Sequence, residues 1–325
     1  MAKAKPLFPG HYQPKLPGEL GFYDLRLPET RQKQADLAKL AGIESFMYWH
    51  YWTDGHKVLN EVLDDVVRMK QPDMGFCLCW ANHSWTKCAW NGYKSTTMLM
   101  EQKYPGEEDH RRHFVDLIDV FKDERYTRVN GKLLFGIFAP FSMPNVRNYM
   151  KLWNKLAKEN NLGGFYFVAL NKDRSRSREL LDFGFDAVIE DLMDDFRQNC
   201  YSYVGLPFRI LRKFFGIVFG NKYEDYCNFM LKNYIDKNGS IPCIYPNWDH
   251  SARSGKMATI FRNADPNIWG RLCKGIFESC KQKPSEENLI IIKSWNEWGE
   301  GNYLEPDRRY KRGYIEELRA ALDSK

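Results

Sequence analysis

The chain has 325 residues and a mass of 38.4 kDa, and 43% of its residues are hydrophobic, enough to build a large core and too many for a disordered chain. Its 48 basic and 42 acidic residues leave a net charge of +6 with no concentrated basic stripe, which argues against a nucleic-acid binder. No run of 18 apolar residues is present to span a membrane, and "MAKAKPLFPGHYQP" lacks the apolar centre of a signal peptide, so a cytoplasmic protein is expected.

In chain order, "LPETRQKQADLAKLAG" predicts a helix with Pro28 in its first turn and Gly42 at its end. "IESFMYWHYW" predicts a strand, and "VLNEVLDDVVRM" a helix with Leu59, Val62, Val66 and Met69 on one face. "MGFCLCWAN" is the next strand, and "EEDHRRHFVDLIDVFKD" a helix striped by Phe114, Leu117, Ile118 and Phe121. A strand "KLLFGIFAP", a helix "NVRNYMKLWNKLAKEN", a strand "GGFYFVAL", a weak helix near 175–182 and a short strand "DAVIE" follow. Residues 191–240 are less regular, with one helix at 223–236. "IPCIYPNW" is a strand, "PNIWGRLCKGIFESCKQK" a helix, "NLIIIKSW" the last strand and "RGYIEELRAALDSK" the closing helix.

That makes seven strands, near 43–49, 75–80, 133–139, 164–170, 187–190, 241–246 and 289–295. Strands alternating with helices imply parallel pairing through right-handed crossovers. The nearest architecture is a TIM-barrel-like (β/α)8 fold, a single domain over residues 1–325, with a doubly wound sheet as the alternative. No GxGxxG stands between a strand and a helix, so a dinucleotide cofactor has no support. The eight cysteines include no CxxC pair and are expected to be reduced.

In a barrel, chemistry sits at the carboxyl ends of the strands. Those ends carry Tyr48, His50 and Trp52; then Trp80, Asn82, His83 and Trp85; then Glu190; then Tyr245, Trp248 and Asp249. Rings, amides and acids on one rim are the make-up of a saccharide cleft, rings for the apolar sugar faces and polar groups for the hydroxyls. Other roles stay open: packing for Tyr48, structural hydrogen bonds for His50 and His83, a cover for the barrel end for Trp85, an arginine partner for Glu190. "EDLMDD" reads better as a solvated loop than as a metal–nucleotide-sugar site, and no His/Asp/Glu spacing suggests a metal.

"LIIIKSWNEWGEG", residues 289–301, differs from these: an apolar strand runs directly into Asn296, Glu297 and Glu300, with Trp295 and Trp298 around them. Desolvation by the indoles raises a carboxyl pKa, as a general acid needs, and Gly299 and Gly301 let the loop turn tightly. Two carboxylates in different surroundings suffice for acid/base work on a glycosidic bond.

Together with "FYDLRLPETRQKQADLAKLAGI", "YWHYW", "FCLCWAN" and "FKDERYTRVNGKLLFGIF", the stretch "SWNEWGEGNYLEPDRRY" resembles the WbsX-type family over nearly the whole chain. These proteins belong to bacterial polysaccharide gene clusters and are related to glycoside hydrolase family 99, whose members are (β/α)8 barrels that cut α-mannosidic linkages with retention and without metal. The resemblance implies that Glu297 deprotonates the sugar 2-hydroxyl to give a 1,2-anhydro intermediate. It implies that Glu300 protonates the leaving oxygen and later activates water, and on this reading Glu300 is expected in the drier place, beside an indole, with the higher pKa.

Two departures stand out. The family's usual first strand, of the form "AFYLPQFHP", is missing ahead of "KPLF", so a barrel without its first strand is expected, open to homo-oligomer formation through exposed strand edges. "CWANHSW" stands where the family often reads "CWANENW", placing His83 at a possible acidic contact. The expected function is a retaining glycoside hydrolase-like enzyme acting on α-linked, mannose-like residues of bacterial polysaccharide, with a glycan or glycolipid substrate and no cofactor. The alternatives are a glycosyltransferase of O-antigen, capsule or lipopolysaccharide biosynthesis and an inactive, truncated glycan-binding relative. "LPFRILRKFFGIVFG", residues 206–220, mixes Phe with Arg and Lys and is a candidate peripheral contact with the inner membrane face, or else a helix packed on the barrel.

Overall fold

The structure is a computed structural model, and it describes residues 3–88, 94–200, 220–235, 237 and 239–324. Seven parallel strands form the central sheet: β1 (Ser45–Thr53), β2 (Gly75–Trp80), β3 (Lys132–Ile137), β4 (Phe165–Asn171), β5 (Ala187–Glu190), β6 (Ser240–Ile244) and β7 (Ile291–Ile292). Each pairs in parallel with the strand before it, so the spatial order is the chain order. Helices lie between them: α1 (Pro28–Leu40) before β1, then α2 (Glu61–Met69), α3 (Glu107–Asp116), α4 (Val146–Glu159), α5 (Ser177–Phe183), α6 (Tyr223–Asn233) and α7 (Pro266–Ser279), with α8 (Gly313–Asp323) after β7.

This sequential order is that of a (β/α) barrel, but among the described residues no strand joins β7 to β1, and hydrogen bonding does not close the sheet. The fold is a mixed α/β one around a mostly parallel sheet. The two ends of the sheet still meet through side chains, with the Phe46 ring 5.5 Å from that of Trp295.

Burial on both faces explains the near-continuous apolar strands. All seven residues of β4, "FYFVALN", are buried. Between sheet and helices, Trp153 of α4 is enclosed by Phe114, Phe121, Phe135 and Phe165 at centroid distances of 4.9–5.8 Å.

Three elements differ from expectation. An antiparallel partner of β1, His56–Val58, takes up the start of the second predicted helix, so Leu59 is 71% exposed and Leu63 and Val66 form the buried face. The third predicted helix breaks at Leu117 and resumes as the short turn Ile118–Phe121. β7 has only two residues, Ile291 and Ile292, although Lys293 N–H still donates to Ile244 O of β6 at 3.0 Å.

The N-terminal segment adds no strand to the sheet. It lies against the loops after β6 and β7, with Gly18 N–H donating to Pro306 O at 2.8 Å, Arg308 N–H to Leu16 O at 3.0 Å, and Glu19 paired with Arg312. Cys77, Cys79, Cys200, Cys227, Cys243 and Cys273 carry free thiols. Of the stretch 206–220, all but Gly220 falls outside the described residues. Among the described residues no helix is long and apolar enough to cross a membrane.

Candidate functional site

After β7 the chain forms a small hairpin at the carboxyl end of the sheet. Asn296–Glu297 pairs antiparallel with Asn302–Tyr303 across a 3-10 turn, Trp298–Glu300. Gly301 has φ +56°, and a Cβ there would stand 2.4 Å from Asp249 O, so only glycine fits. Trp298 stacks on Tyr303 at 3.7 Å and donates to Glu305 Oε2 at 2.6 Å. Glu305, 2% exposed, also accepts from Tyr23 Oη at 2.9 Å and Gln34 Nε2 at 2.6 Å. Burial raises its pKa against the pull of those donors.

Asp249 fastens the other side. It accepts from His11 Nε2 at 2.8 Å, Gln13 Nε2 at 2.7 Å and Ser251 Oγ at 2.6 Å. Burial works against its ionised form, but the His11 hydrogen bond, the Lys15 charge and the Ser251 hydrogen bond outweigh it and hold the pKa at about 2. Asp249 therefore ties the N-terminal segment to the hairpin and has its acceptor capacity used within the chain.

Glu297 and Glu300 differ. Glu297 is half-buried, and its pKa is raised by burial and then by the Glu300 charge, with Arg253 and Lys293 opposing. Glu300 Oε1 lies 3.1 Å from Arg253 Nη1. Burial and like charge therefore act on Glu297, the acid not expected to sit in the drier place, whereas an arginine faces Glu300 and the Trp298 indole is committed to Tyr303 and Glu305. Asn296 Nδ2 donates to Tyr23 Oη at 3.3 Å, and Trp295 packs on Phe46.

Strand parity decides which rings face the rim. Tyr48, His50, Trp52 and Trp80 turn to the helices instead. His50 Nε2 is 2.7 Å from His113 Nε2 of α3, and Trp52 stacks on His113 at 4.6 Å and donates to Asp109 Oδ2 at 3.0 Å. Burial pushes His50 down to about 3 and His113 well below the usual range, so one neutral ring donates to the other. Trp80 is enclosed by His113 and Tyr149, and Tyr48 packs on Phe76 with its phenol pushed up to about 12 by burial.

The intervening residues Trp49 and Tyr51 face the open end. Trp49 is 41% exposed, 5.4 Å from the Phe138 ring, and Tyr51 lies 5.0 Å from Trp85. Burial and then the Glu297 charge raise the Tyr51 pKa, which puts this phenol beside the acid pair. His83 is exposed over Phe138 at 5.0 Å, its pKa lowered by partial burial and by Lys172. Asn82 is a buried clamp: its Oδ1 accepts from Ala139 N–H at 2.7 Å, and its Nδ2 donates to Ala139 O and the Tyr104 hydroxyl.

Glu190 is buried with Oε2 unpartnered, and burial raises its pKa although Arg174 opposes. "EDLMDD" is not a solvated loop at its start, since Glu190 through Met193 are all buried. Tyr245 is buried and Trp248 half-buried beside it at 5.0 Å, with the Lys293 ammonium over both rings. Sequence reasoning missed Trp49, Tyr51, Phe138, Arg253 and Lys293. One signal was there, a lysine ending the apolar run "LIIIK". Among the described residues no three His, Cys, Asp or Glu side chains gather as a metal site.

An acid pair and several rings thus gather at the carboxyl end of a mostly parallel sheet. The family model "Glycosyltransferase WbsX" matches residues 1–318, and the chain belongs to that family. It is similar to the uncharacterized protein WxcX of Xanthomonas campestris pv. campestris strain B100, 28% identical over 327 residues; the match covers 99% of this chain and 45% of that protein, so the chain spans less than half the length of this relative. Its fold is similar to that of the GH99 endo-alpha-mannosidase from Bacteroides thetaiotaomicron, with a TM-score of 0.59 at 15% identity over 95% of this chain and 82% of the other. A structure described as a glycoside hydrolase-like protein matches with a TM-score of 0.63 at 12% identity, over 96% of this chain and 89% of the other.

Proposed function

We propose that this chain is a retaining, glycoside hydrolase-like enzyme acting on an α-linked, mannose-like residue of a bacterial polysaccharide, with Glu297 and Glu300 as its acid/base pair. The observation that carries this reading is the asymmetry of the two carboxyls on one tight hairpin. Burial and like charge make Glu297 the stronger base. It takes the proton of the sugar 2-hydroxyl as O2 closes on C1, and the leaving oxygen departs from C1 with a proton from Glu300. Water then gives its proton to Glu300 and attacks C1, and O2 regains its proton from Glu297. Glu300 carries a proton in this cycle only when substrate draws Arg253 away. Trp49, Tyr51, Trp85 and Trp248 supply flat faces for the glycan.

A second reading, transfer from an activated sugar in O-antigen, capsule or lipopolysaccharide assembly, is favoured by the Arg253–Glu300 pair and the family's label. A pyrophosphate leaving group needs a cation in place of a proton. The deciding experiment offers the purified protein α-mannan oligosaccharides and, separately, nucleotide sugars. Glu297→Gln and Glu300→Gln are each expected to lose about 10²–10⁴-fold in turnover while still binding glycan. Near-normal rates in either variant refute the acid pair, donor-dependent transfer without hydrolysis selects the second reading, and binding without either reaction marks a non-catalytic glycan binder.

A further inference from the structure

Lys293 follows β7 and Asp191 follows β5, while β6, which stands between these strands in the sheet, ends at Tyr245 and Trp248. The Lys293 ammonium lies 5.5 and 5.4 Å from the centroids of those two rings. It faces Asp191 Oδ2 at 3.9 Å, too far for a direct hydrogen bond, and the two side chains are 19% and 3% exposed. The other Asp191 oxygen accepts from Met193 N–H at 3.1 Å. Trp248 Nε1 is buried with no partner. The Lys293 charge also opposes the rise in Glu297's pKa, so this group stands near the acid pair.

We propose that Lys293 and Asp191 together hold one hydroxyl of the sugar that binds beside Glu297, with Trp248 against the same ring, and so select which sugar the site accepts. This rests on the carbohydrate reading above. A pair closed to contact, as Arg125 and Asp123 are at 2.8 Å, would satisfy itself. At 3.9 Å both groups keep hydrogen-bonding capacity for a shared third atom. An oxygen about 2.8 Å from each atom would see them roughly 90° apart, accepting from Lys293 while donating to Asp191. A hydroxyl does both, whereas a methyl group does neither and an ether oxygen only accepts.

The test measures binding of methyl α-D-mannopyranoside and its four monodeoxy analogues by ligand-observed NMR, with the corresponding glucoside and galactoside alongside. The variants are Lys293→Arg and the double variant Lys293→Met with Asp191→Asn, which leaves no buried charge unpaired and whose fold circular dichroism checks. One deoxy analogue is expected to bind the native protein about 10- to 150-fold more weakly than the parent sugar, the worth of a hydrogen bond to charged groups. The double variant should erase that difference and leave the ranking of the other analogues unchanged. Lys293→Arg should keep part of it. If the difference survives in the double variant, or a bound sugar is indifferent to all four hydroxyls, the clamp is refuted and the carbohydrate reading stands. If no glycoside of the set binds the native protein, the clamp is refuted, and the carbohydrate reading is decided separately by the α-mannan and nucleotide-sugar assays.

Discussion

Removing the Asp249 carboxylate should loosen the acid-bearing hairpin from behind. This group takes hydrogen bonds from His11, Gln13 and Ser251, and it is held at a pKa of about 2 against an ordinary 3.8. A carboxylate held nearly two pH units down contributes on the order of 2–3 kcal/mol to folding. Because the folded value lies below the unfolded one, that contribution is fully present above pH 3.8 and is lost as pH falls through about 2. Asp249→Asn keeps the size and one acceptor and should cost about 2 kcal/mol at pH 7. Asp249→Ala also strands buried donors and should cost about 3–5 kcal/mol. Urea unfolding followed by tryptophan fluorescence reads both, at pH 7 and again between pH 4 and 2.5. The native protein should lose its advantage over the Asn variant across that acid range, and hydrogen exchange at residues 11–15 should rise in both variants. If the Asn variant matches the native protein within about 0.5 kcal/mol at pH 7 and follows it through the acid range, Asp249 is not the anchor described here.

Glu297→Gln should melt higher than the native protein at pH 8, with the gap closing toward pH 4. Its folded pKa is raised, so the stability of the native chain falls as pH rises through it; a variant that melts lower at pH 8 contradicts the buried placement. His50→Ala leaves the His113 Nε2 partnerless and should cost about 1–3 kcal/mol in urea unfolding without changing glycan affinity. Trp49→Ala should do the reverse, weakening glycan binding at unchanged stability, since its ring is 41% exposed at the rim. Trp153→Ala, by emptying the centre of an aromatic cluster, should cost about 3–5 kcal/mol.

The order of strands and helices was legible because each strand is a dense apolar run and each helix a periodic one. β4 could be read directly from "FYFVAL", buried throughout. The shortness of β7 was not, because Leu289 and Ile290, which precede it, are as apolar as its own two residues. Among the described residues the sheet runs open between β7 and β1, where the first strand was expected to be missing. At the rim, the right strand end was found but the wrong face. In "YWHYW" every position is aromatic or imidazole, so composition gives no clue to parity, and only the packing of His50 against His113 from α3 settles it. His113 sits in a helix whose expected stripe was apolar, and a histidine inside that stripe was the missing signal.

Four acids cluster where the chain leaves the sheet: Asp249, Glu297, Glu300 and Glu305. By sequence they look alike, each next to an indole or close to one, and only their hydrogen bonding separates them. The two deepest are met by donors from the N-terminal region, His11 and Gln13 on Asp249, Tyr23 and Gln34 on Glu305. A buried carboxylate so furnished is stable where it stands and has little left to offer a ligand. Glu297 and Glu300 are half-buried and face each other's charge and two cations, Arg253 and Lys293. Those are interactions an incoming hydroxyl or leaving oxygen can change. The anchors are thus held chiefly by hydrogen-bond donors of the chain, with Lys15 adding its charge at Asp249, whereas the acids that are free to react stand among each other's charge and two cations.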